Sequence, residues 1–76
     1  MKTKIVAYYQ SWVGEGHPYI AFDYDKVAAQ ELYAVIDKYE QLLARFLRLP
    51  ANERKSGVIY GGVDYDFQFI EEEIDG

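Results

Sequence analysis

The hydrophobic period of this chain changes twice, and nothing else in the sequence restricts its fold so tightly. From Thr3 to Val13 the side chains alternate, with Ile5, Ala7, Tyr9, Ser11 and Val13 on one side and Val6, Tyr8, Gln10 and Trp12 on the other. A period of two rich in β-branched and aromatic residues specifies a strand. Gly14-Glu15-Gly16-His17-Pro18 reads as a loop, because Gly and Pro punctuate regular structure. Tyr19 to Tyr24 alternates again, so the first two strands are expected to form a hairpin.

From Lys26 to about Leu49 the period becomes helical. Ala28, Leu32, Val35, Ile36, Tyr39, Leu42, Leu43, Phe46 and Leu47 form one stripe at i, i+3/i+4 spacing. Asp23 or Asp25 is placed to cap its N-terminus. Arg45 and Arg48 fall in its last turn, where the helix dipole favours cations, and Pro50 closes it. Asn52 to Ser56 is a turn or a short second helical piece. The period then returns to two. Val58–Tyr60 and Val63–Ile70 flank Gly61-Gly62, which suits a two-residue hairpin turn or a glycine bulge in one long strand. Tyr65, Phe67 and Phe69 share one face of the last strand; Asp64, Asp66, Gln68 and Ile70 share the other. The acidic tail from about residue 71 extends that strand or frays. The expected fold is therefore α+β: one long helix packed on a three- to four-stranded antiparallel sheet, order ββαββ, as a single domain over residues 1–76. A helix of about 23 residues would run roughly 35 Å and overhang the sheet.

A chain of 76 residues buries a thin core. Half of its residues are hydrophobic and eight are Tyr, which points to order rather than disorder. There is no Cys, which excludes disulfides, thiol chemistry and cysteine-based zinc sites. No apolar run reaches the roughly 18 residues a membrane span needs, and the N-terminal stretch lacks a signal-peptide cleavage pattern. A reducing cytoplasm is the expected location.

Charge is segregated along the chain. Residues 1–55 hold seven acids and eight bases, whereas residues 56–76 hold six acids (Asp64, Asp66, Glu71, Glu72, Glu73, Asp75) and no base. Carboxylates on a rigid strand can occupy a basic groove shaped for phosphates. They also keep strand edges apart and the protein dissolved. Tyr8, Trp12 and Tyr65 are candidate anchors beside these acids, because Tyr and Trp dominate binding hot spots. Some of Tyr8, Trp12, Tyr19 and Tyr60 should remain on whichever sheet face the helix leaves open.

Chemistry-bearing motifs are sparse. Asp-Tyr-Asp occurs at 23–25 and 64–66. Four carboxylates brought together could bind Mg²⁺ or Ca²⁺, but capping explains Asp25 and a turn explains Asp64. His17 is the sole histidine, with no nucleophile partner in the sequence. Neither Gly14-x-Gly16 nor Gly61-Gly62 has the spacing of a phosphate loop. No catalytic residue, metal ligand or cofactor is assigned.

In its size, acidity, Tyr richness, lack of Cys and α/β layout, the chain resembles the small phage-encoded inhibitors of bacterial defence, anti-CRISPR proteins among them. The resemblance implies stoichiometric binding to a nuclease or surveillance complex at a surface meant for nucleic acid. It carries no residue over by position. The expected protein is thus a non-enzymatic inhibitor of a basic, nucleic-acid-handling partner, a nuclease or CRISPR effector, with no direct contact to nucleic acid or membrane. The alternatives are an immunity or antitoxin-type protein and a small self-assembling protein, including a homodimer.

Overall fold

The computed structural model describes residues 2–11, 19–62 and 65–74. Trp12, the 14–18 loop with His17, Asp64 and Asp75 lie outside them. The elements follow the order β1 (Lys2–Ser11), β2 (Ile20–Ala21), α1 (Tyr24–Ala29), α2 (Tyr33–Phe46), α3 (Ala51–Ser56), β3 (Val58–Tyr60) and β4 (Tyr65–Ile74). The sheet has four strands in the order β2-β1-β4-β3, every neighbouring pair antiparallel. The α+β class and the antiparallel sheet match the sequence reading. The long helix and the order ββαββ do not.

What breaks the helix is a Schellman turn. The Glu31 N–H donates to the Ala28 carbonyl (3.0 Å) and the Leu32 N–H to the Val27 carbonyl (3.2 Å). This geometry needs a left-handed residue, and Glu31 supplies it at φ 58°. Helices usually end this way on Gly or Asn, so a Glu gave no stop signal. A left-handed non-glycine costs about 1–2 kcal/mol. Asp23 caps α1 by accepting the Lys26 N–H at 3.2 Å. After Phe46 the chain tightens, with Leu49 N–H bonded to the Phe46 carbonyl at 3.1 Å. Pro50 then starts α3, whose Glu53 and Arg54 amides donate to the Pro50 carbonyl at 3.0 and 3.1 Å. At 14 residues, α2 is only about 21 Å long. β1 and β4 have ten residues each and run about 33 Å, so strands outrun helix.

The second hairpin also differs from expectation. Tyr60 pairs with Phe67, a register that places six residues between these paired positions, so Gly61-Gly62 is not a two-residue turn. Gly62 is nevertheless obligatory, since a Cβ there would sit 2.7 Å from the Tyr65 carbonyl oxygen. The acidic tail is a strand extension, paired from Glu71 to Ile74 with Ile5 to Lys2.

The helices cover one face. Phe46, Phe67 and Phe69 are fully buried, joined by Ala7, Val27, Val35, Ile36 and Leu42. Ala7 lies opposite Phe69 and Tyr9 opposite Phe67. Rings run through the core: Phe22 stacks on Tyr39 at 4.2 Å, and Phe69 on Phe46 at 5.5 Å. Such pairs add about 0.5–1.5 kcal/mol each beyond area burial. Leu32 and Leu47, both assigned to the helical stripe, are 40% and 53% exposed. Among the described residues no helix is long and apolar enough to cross a membrane.

Candidate interaction surface

Strand alternation splits the acidic segment between two faces. Glu71 and Glu73 share the side of Phe67 and Phe69; Asp66 and Glu72 point the other way. β4 is also not an acidic edge strand: β1 lies along its whole length, and β3 pairs with residues 67–69.

Two of the acids are engaged within the chain. Glu71 accepts from Arg54 Nε of α3 at 3.4 Å and from Thr3 Oγ1 at 3.3 Å. Arg54 also donates to the Leu49 carbonyl. Glu71 thus ties α3 to the sheet. Asp66 accepts the Gly62 N–H at 3.1 Å and fixes the β3–β4 connection. It also accepts the Tyr19 hydroxyl. Burial, with that carboxylate beside it, pushes the Tyr19 phenol above its ordinary value.

Glu72 and Glu73 are exposed. Glu72 sits across from Lys4 and Glu73 across from Thr3. Both are held on a paired strand, so their backbone is in place before any partner arrives. Of the candidate anchors, Tyr8 stands half-buried on the uncovered face, between Gln68 and Ala21. Tyr65 packs against the core on the opposite face, so the two do not converge. Tyr60 is also on the covered side, against Phe69 and beneath the Arg45 guanidinium at 5.2 Å.

Beyond these candidates, the uncovered face holds an apolar group. Val6, Tyr8, Ile59 and Ile70 alternate with core residues, and none belongs to the core cluster. Ile59 is 60% exposed. The signal was present in the sequence, because β1 carries large apolar residues at both parities. Lys2 and Lys4 stand beside Ile74 and Glu72, so this face balances two lysines against Asp66 and Glu72.

A cleft of about 430 Å³ opens between α2, α3 and β3, lined by Arg45, Leu49, Asn52, Glu53 and Tyr60 among others. Among the described residues, none of the candidate acids lines it. Among the described residues no three His, Cys, Asp or Glu side chains converge to hold a metal ion. Asp23 is spent as the α1 cap, and Asp25 is exposed in the first turn. No protein-family model, curated protein or solved structure matches this chain.

Proposed function

We propose that this is a non-enzymatic binding protein that inhibits a basic, nucleic-acid-handling partner by occupying the surface that partner offers to phosphates. The observation that carries the reading is the pairing of residues 71–74 with β1. It turns an acidic tail into a paired strand, at whose end Glu72 and Glu73 project to opposite faces. Preorganised charges of this kind lose little entropy on binding and speed encounter with a basic surface. The net charge of −5 adds a long-range attraction of the same sign. An anti-CRISPR-like inhibitor fits this description, and an immunity or antitoxin-type protein would use the same physics.

The test is capture of partners on tagged protein at low and moderate salt, followed by binding of the purified partner. Wild-type binding should weaken as salt rises. Replacing both Glu72 and Glu73 with Ala should reduce affinity about tenfold or more and flatten that salt dependence. If the double variant binds a basic partner as tightly as wild type does, the docking surface lies elsewhere.

A further inference from the structure

We propose that the uncovered sheet face is the interface of a homodimer, in which a second copy of this chain packs face to face about a two-fold axis running along the strands between β1 and β4. The strand register supports this packing. In an antiparallel pair the cross-strand partners stand side by side at one level. A two-fold axis parallel to the strands and midway between them lays β1 of one copy over β4 of the other at that same level. Each residue then faces the second copy's version of its own cross-strand neighbour.

The described register makes those meetings complementary. Lys4 pairs with Glu72, Val6 with Ile70 and Tyr8 with Gln68. Across the axis, Lys4 meets the second copy's Glu72, Val6 meets its Ile70 and Tyr8 meets its Gln68, and each contact occurs twice. On the flanks, Ala21 stands at the level of Tyr8, and Ile59 at that of Gln68. β2 then lies over β3, and small Ala21 faces large, exposed Ile59. The centre is apolar and the end row is oppositely charged, which is how specific interfaces are built. Aligned sheet packing at about 30° keeps the central rows in contact, and long Lys and Glu side chains span the divergence at the end.

Charge selects the occupant. The face carries two lysines and two carboxylates and so has no net charge, and because Glu72 is among them a dimer would hide one of the two acids proposed to dock on a basic partner. The face is complementary to itself. From Lys2 to Gln10 it runs about 26 Å, over four strands spaced about 4.8 Å apart. That is small for a permanent dimer, so association should be reversible and concentration-dependent.

The proposal is independent of any partner and is tested on purified protein. In sedimentation experiments from micromolar to near-millimolar concentration, the mass should rise from 8.8 kDa toward twice that value. Tyr8→Asp should keep the circular dichroism of the fold and stay monomeric. Lys4→Glu and Glu72→Lys should each weaken self-association about tenfold or more, since like charges then meet across the axis. An equimolar mixture of those two variants should dimerise again, because every facing pair becomes opposite. Like-charge strain inside each chain is unchanged by mixing, so it cannot produce that recovery. A wild-type mass fixed at 8.8 kDa across the range overturns the proposal. So does a dimer that Tyr8→Asp leaves intact, or a folded pair of variants that stays monomeric when mixed.

Discussion

Phe69 and Gln68 are neighbours in the chain and opposites in the fold. Phe69 is fully buried among Phe46, Phe67 and Tyr39. Gln68 is half-buried beside Tyr8, with no helix above it. The same contrast separates Ala7 from Tyr8 and Glu71 from Glu72. One set of strands thus serves two surfaces. The covered face is committed to stability and the open face is not, so substitutions on the two should separate folding from association.

The largest effect should come from Phe69→Ala, which removes a ring from a fully packed site. It should cost about 3–5 kcal/mol, most of the stability of a domain this small. Gln68→Ala should cost less than about 1 kcal/mol. Urea melts of the two variants measure the difference, and similar midpoints would erase the distinction between faces.

A smaller gap should divide the adjacent acids. Glu71→Ala removes the Arg54 and Thr3 contacts of a carboxylate only 13% exposed, and should cost about 1 kcal/mol. Glu72→Ala should stay within about 0.5 kcal/mol. Equal costs would mean that the ion pair to α3 stabilises nothing.

The smallest effect is a dependence on alkaline pH. Burial, with Glu40 nearby, pushes the Tyr39 phenol above its ordinary value, and Tyr19 is raised as described. The folded state therefore holds these protons more tightly than the unfolded chain does. Their contribution is complete below the ordinary tyrosine range and is lost as pH rises beyond about 10 through the raised values. Urea midpoints should fall over that window. Tyr39→Phe should flatten part of the fall, and an unchanged pH profile in that variant would refute the assignment.

The strands were legible because alternation is local. Ile5, Ala7 and Tyr9, like Phe67 and Phe69, lie on the face their period implied, and Asp23 caps as its type and place suggest. The rest depended on tertiary context. No residue type announced a left-handed turn at Glu31, and the packing of α1 against α2 imposes it. Gly61-Gly62 fits a tight turn in isolation, and only the pairing of Tyr60 with Phe67 excludes it. The acids read as one cluster because they lie close together in sequence. Where each one goes depends on α3 bringing Arg54 to Glu71 and on β1 bringing Lys4 to Glu72. None of these is visible in a one-dimensional pattern.

The central position of β1 and β4 has a kinetic consequence. Thr3 bonds to Glu71, 68 positions away, so the innermost pair of the sheet joins the two most distant strands. Closing so long a loop costs entropy before the contacts that reward it exist, and topologies of this kind fold slowly for their size. During synthesis β1 emerges first and waits for β4, with Val6 and Tyr8 on one side and Ile5 and Tyr9 on the other both unburied. Until then the nascent chain is an apolar strand without its central partner, the kind of exposed, unpaired edge that favours misassociation.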